Sequence, residues 1–170
     1  MRRFVCSVVA AVVVAIGLSG GPKAQAQTKD EVAIRTLEDQ FATAASAMDV
    51  DAIMKVYAPG DELLVFDMST PRQYAGWDAY KKDWQDFAAL FQGPVKFSVD
   101  DLSITTDGKL AYSHSIQHVS GTGKDGSKIE ITVRVTDCYR KTDGKWLIAL
   151  EHVSVPIDMT TGKPDMMSKP

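Results

Sequence analysis

The chain has 170 residues, 45% of them hydrophobic and 24% charged, enough for one well-packed domain and cramped for two. Nineteen Lys and Arg against 22 Asp and Glu leave a net charge of −3, which excludes a basic surface for nucleic acid phosphates or anionic lipid. Two cysteines, with no Cys/His pair at structural-zinc spacing, exclude a multi-bridge scaffold and a zinc-stapled fold.

Arg2 and Arg3 precede an apolar run over residues 4–18, followed by Ser19-Gly20-Gly21-Pro22 and by Ala24-Gln25-Ala26, a small-x-small cleavage pattern. This is the pattern of a secretory leader over residues 1–26, cut after Ala26, and it addresses the chain to the periplasm or the exterior. The apolar run is shorter than the ~20 residues that span a bilayer, and Cys6 stands too early to begin a lipidated terminus, so no stable membrane anchor is expected after cleavage. Removal of those 26 residues takes away Arg2, Arg3 and Lys23, leaving 144 residues at net −6 with Cys138 as the lone thiol.

Thr28-Lys29-Asp30-Glu31 has capping-box spacing, and Ile34, Leu37, Phe41, Ala44, Ala45 and Met48 recur at helical intervals, which predicts a helix over 29–48. Asp49 and Asp51 start a short second helix that ends at Pro59-Gly60, and 63–67 reads as a brief strand. Trp77, Tyr80, Trp84, Phe87 and Phe91 recur at threes and fours, marking a third helix stopped by Gly93-Pro94. From Val95 the period becomes two, and Asp107-Gly108, Asp125-Gly126 and Asp143-Gly144 divide the remainder into four strands. Val95, Phe97 and Val99 are out of phase with Leu102 and Ile104, which calls for a bulge at Asp100-Asp101. The layout is α+β: N-terminal helices on the concave face of a curled, cone-shaped antiparallel sheet that encloses a pocket, in one domain over 27–157 with a loose tail over 158–170.

Register decides which side chains share the pocket. Two-residue loops at Asp125-Gly126 and Asp143-Gly144 place Asp137 opposite both His114 and Leu150, and Val135 opposite Ile116 and His152. One face then carries Tyr112, His114, Ile116 and His118, then Val133, Val135, Asp137 and Tyr139, then Trp146, Ile148, Leu150, His152 and Ser154. Three imidazoles and a carboxylate in an apolar cup form a candidate proton-transfer site, against the alternative of a buried Asp-His network that only fixes the sheet. A three-residue loop at Thr142-Asp143-Gly144 would slip the last strand by one and move His152 out of the group. Asp67 ends the first strand and either points into the cup's mouth or caps the Met68-Ser69 turn. Tyr57, Tyr112 and Trp84 are candidate pocket walls or ordinary core. No Gly-rich phosphate loop, Gly-x-Ser-x-Gly elbow or Cys-His pair is present, and no metal or cofactor is expected.

Val133-Arg134-Val135-Thr136-Asp137, Asp143-Gly144-Lys145-Trp146-Leu147-Ile148 and Glu151-His152-Val153-Ser154-Val155-Pro156, within this order of elements, resemble the SnoaL-like branch of the nuclear transport factor 2-like superfamily, which is itself similar to the ketosteroid isomerases. The resemblance implies a cone with a pocket between sheet and helices, commonly in dimers that meet through the outer sheet face, here Leu147, Ala149, Val153 and Val155. It implies no single chemistry. The leading expectation is a cofactor-independent isomerase or lyase that moves a proton next to a carbonyl of a small cyclic or aromatic compound. In that reading His152 is the base, Asp137 its orienter and His114 or Tyr112 the donor to the enolate, while Ser154, His118, Trp84, Asp67 and Tyr57 line the ligand. The rivals are a non-catalytic periplasmic module binding a small apolar or aromatic ligand, and a homodimeric assembly domain.

Overall fold

A computed structural model describes residues 27–168; the expected leader and its cut after Ala26 lie outside the described residues. Thr28 Oγ1 accepts the Glu31 amide at 3.1 Å and starts α1 (Lys29–Ser46), whose buried face is Ile34, Leu37, Glu38, Phe41, Ala44 and Ala45. Asp49 caps the four-residue α2 (Val50–Ile53) through the Ala52 amide at 3.0 Å. After β1 (Leu64–Phe66) and β2 (Tyr74–Ala75) comes α3 (Trp77–Ala88), which buries Tyr80 and Trp84. Four long strands follow, β3 (Phe91–Asp107), β4 (Leu110–Gly123), β5 (Lys128–Thr142) and β6 (Lys145–Ser154).

The six strands form one sheet in the order β2-β1-β6-β5-β4-β3. The four long strands make the expected antiparallel meander, and β1 adds to β6 in parallel, so the sheet is mixed and unclosed. The core lies between the sheet and the helices. There Phe41 meets Trp84 and Phe97 edge to face at 5.8 and 5.4 Å. Asp30 ties the start of α1 to the β5–β6 hairpin by accepting from Lys141 Nζ at 2.5 Å and Trp146 Nε1 at 3.1 Å.

The bulge in β3 is present: the pairing shifts between Asp100 and Ser103, and Asp101 takes a left-handed φ of 53°. The β5–β6 turn is the expected two-residue loop, with Thr142 opposite Lys145 and positive φ at both Asp143 and Gly144. The β4–β5 turn is not. Gly123 donates to the Ser127 carbonyl around a three-residue loop that ends on Gly126 at φ 84°, the left-handed position that closes such loops. This slips β4 by one residue against the expectation, so Asp137 faces Ser113 and His114 faces Thr136. A second shift follows in β6, where Tyr139 pairs with Ile148 but Cys138 pairs with Leu150, leaving Ala149 as an extra residue. Beyond it Asp137 faces Glu151, and His152 pairs with Thr136 on the opposite sheet face.

After β6 the chain turns back instead of trailing loose. Asp165 donates to the Pro156 carbonyl, and the Met166 carbonyl accepts from Thr132 of β5.

A carboxyl and tyrosine cluster behind an apolar cavity

The inner face of the sheet carries Ser113, Ser115 and Gln117 of β4, Val135, Asp137 and Tyr139 of β5, and Glu151 of β6, all buried. Tyr112, His114 and His152 are exposed on the outer face; His118, half-buried there, bonds Thr132 through Nδ1 at 2.9 Å, and Ser154 pairs with Arg134 on the same side. The expected group of three imidazoles around Asp137 is therefore not assembled. Val153, expected on the outer face, lines the cavity.

What the structure does bring together is a set of carboxyls and phenols. Glu151, 3% exposed, receives the Tyr57 hydroxyl on Oε2 at 2.8 Å and the Tyr80 hydroxyl on Oε1. Asp137, 1% exposed, is its cross-strand neighbour. Across the core Glu38 of α1 accepts from Tyr139 at 2.6 Å, and the Tyr139 oxygen lies 2.7 Å from Ser113 Oγ. Burial pushes Glu151 and Glu38 up to about 7, against the bonds from their tyrosines. Burial, with Glu151 and Glu38 as like-charged neighbours, drives Asp137 well above the carboxylate range. Its Oδ1 has no hydrogen-bond partner among the described residues.

Glu151 forms part of the wall of a cavity of about 300 Å³ between α3, α1 and the sheet. Its apolar walls include Phe41, Trp84, Phe87, Phe97, Val119 and Val133; Tyr80 and Gln117 add polar atoms, and Asp67, Asp83 and Asp86 complete its charged lining. The volume suits a compact ring compound. Trp84 is 8% exposed and its Nε1 has no acceptor among the described residues. Asp67 reaches the cavity because the parallel pairing sets Val65 beside Glu151, and Asp67, two residues on, falls on the same face. It also accepts the Ser69 amide at 2.9 Å, so both expectations for it hold as geometry. Tyr57 stands behind Glu151, outside the cavity lining.

Glu151, Glu38 and Tyr80 escaped the sequence reading as site residues. Glu38 carried a signal: four residues after Ile34 and three before Phe41, it sits on the apolar stripe of its helix. Among the described residues no group of three or more His, Cys, Asp or Glu side chains is arranged to hold a metal ion, and no helix is long and apolar enough to cross a membrane.

The family model of the SnoaL-like domain matches residues 34–158. The chain belongs to the SnoaL-like domain family. No curated protein matches it. Among solved structures, this SnoaL-like chain is similar to a nuclear transport factor 2-like protein of unknown function from Pseudomonas putida KT2440, at 31% identity and a TM-score of 0.75, over 85% of this chain and 99% of that one. It shares its fold with a ketosteroid isomerase-like protein from Erwinia carotovora atroseptica SCRI1043 (17% identity, TM-score 0.64, 75% and 97% covered). The same holds for a nuclear transport factor 2-like superfamily protein from Salmonella enterica serovar Typhimurium LT2 (15%, TM-score 0.66, 78% and 94%).

Proposed function

We propose that this SnoaL-like domain is an exported, cofactor-independent isomerase or lyase that transfers a proton next to a carbonyl of a small cyclic or aromatic compound, with Glu151 as the acid-base group. One observation carries the reading: a buried carboxyl, raised to about 7 and held by two phenols, faces an apolar cavity of ring-compound size. A base is most useful when its pKa lies near the working pH, and Glu151 meets that condition. Ionised Glu151 takes a proton from the carbon beside the carbonyl, leaving an enolate. Gln117, in the cavity wall, carries a carboxamide N–H able to donate to the enolate oxygen. Protonated Glu151 then returns the proton to a different carbon, which isomerises the ring, or to a departing hydroxyl, which eliminates water. Tyr57 and Tyr80 orient Glu151 and, against its burial, hold down its proton affinity.

Solvent exchange tests this directly. The protein is incubated in D2O with 2-indanone or 2-tetralone, and deuterium gain beside the carbonyl is followed by NMR. The expected result is accelerated exchange that rises with pH through about 7 and falls at least a hundredfold in Glu151→Gln. Exchange equal to buffer for both ketones, or untouched by the substitution, refutes it.

A second reading, a homodimer through the outer sheet face, is favoured by Leu110 and Tyr112, which are 60% and 51% exposed there. The two readings are compatible, since the cavity lies on the inner face.

A further inference from the structure

Every ionisable acid or base lining the cavity, tyrosine aside, is a carboxyl: Asp67, Asp83, Asp86 and Glu151, with no Lys, Arg or His among the described lining residues. Asp86 is paired with Lys82 at 2.8 Å. Asp67 and Asp83 have no ion-pair partner among the described residues; their bonds come from the Ser69 amide and from the Tyr74 hydroxyl at 2.6 Å. The Asp67 carboxylate acts on both Asp83 and Glu151 across the cavity they line. The cavity walls include the aromatic side chains of Phe41, Trp84, Phe87 and Phe97, a residue class that attracts cations as well.

We propose that the cavity selects a protonated amine carried on a compact ring, the ammonium between Asp67 and Asp83 and the ring against Phe41, Trp84 and Phe87, and that it rejects carboxylates. This rests on the cavity being the working site. It narrows the preferred substrate class to amine-bearing ring ketones, neutral ring ketones remaining weaker ligands of the same cavity.

The test uses three probes with one ring body: 2-aminoindane, 2-indanol and indane-2-carboxylate, titrated calorimetrically at pH 7.5. The amine is expected to bind at least about tenfold more tightly than the alcohol in low salt, the advantage shrinking at high salt, and the carboxylate to bind least. In Asp67→Asn/Asp83→Asn the amine is expected to fall to the affinity of the alcohol while alcohol binding persists, which also shows the variant is folded. Equal binding of amine and alcohol, or preference for the carboxylate, overturns the cation selectivity and leaves the cavity reading standing. No binding by any of the three overturns both. Selective amine binding without deuterium exchange in the ketone assay upholds the selectivity and sinks the proton transfer alone.

Discussion

Replacing Glu38 by Gln should remove the pH dependence of stability that this group builds into the core. Glu38 ionises near 4.5 in the unfolded chain and at about 7 in the fold, so between those values the folded state holds a proton that the unfolded state has released. Stability from this group is complete below pH 4.5, declines as pH rises, and is lost above about 7. A shift of that size corresponds to about 3 kcal/mol, the burial being nearly complete and screening slight. Gln keeps the volume and an oxygen for the Tyr139 hydroxyl but has no proton to lose. Near pH 5 the variant should match the wild type within about 1 kcal/mol, and at pH 8 it should be the more stable by up to about 3 kcal/mol. Urea unfolding by circular dichroism at pH 5, 6, 7 and 8 reads this as a midpoint difference growing to about 2 M, for a slope of about 1.5 kcal/mol per M. A difference that stays constant across the range, or a wild type that gains stability from pH 5 to 8 relative to the variant, refutes the assignment of a raised, buried Glu38.

Tyr80→Phe removes a donor to the ionised form of Glu151, so the pH midpoint of ketone exchange should rise above 7 by about 1 unit, measured on the same NMR assay; an unmoved or lowered midpoint contradicts the role given to Tyr80. His152→Ala, on the exposed outer face against the edge of Phe66, should change stability by about 0.5 kcal/mol or less and leave exchange rates unaltered, as thermal unfolding and the exchange assay would show. Tyr112→Asp should halve the mass in sedimentation equilibrium if the outer face joins two copies, and a monomeric wild type removes that reading. Mass spectrometry of the protein recovered from the cell envelope or medium should show a chain beginning at Gln27, whereas a full-length mass there counts against a cleaved leader.

The helices and strands were legible because their signals are local and redundant. Thr28 and Asp49 cap where expected, and the phase change at Asp100-Asp101 announced a bulge that the structure contains, whereas the third helix, expected to include Phe91 and stop at Gly93-Pro94, ends at Ala88 and leaves those three residues in β3. The site was not legible in the same way, because its composition depends on parity, and parity is set by single residues. Asp-Gly at 143–144 closes a two-residue loop while Asp-Gly at 125–126 closes a three-residue one, and the dipeptide is the same in both. The β4 alternation offered no correction. Its even positions include Ile116 and its odd positions Ser113, Ser115 and Gln117, so hydrophobicity pointed the wrong face inward. Those small polar residues are inside because the core there is not apolar: Ser113 meets Tyr139, and Tyr139 in turn serves Glu38. Glu151 was hidden by the same effect, since one-residue slips on either side of β5 reversed the faces of β4 and of β6 beyond Ala149 and left β5 as predicted. Asp137 therefore remained inward while every partner expected around it changed, from imidazoles to a second carboxyl. A base poised near neutrality survives that exchange by a different physical route: burial raises a carboxylate to the range that an imidazole occupies unperturbed.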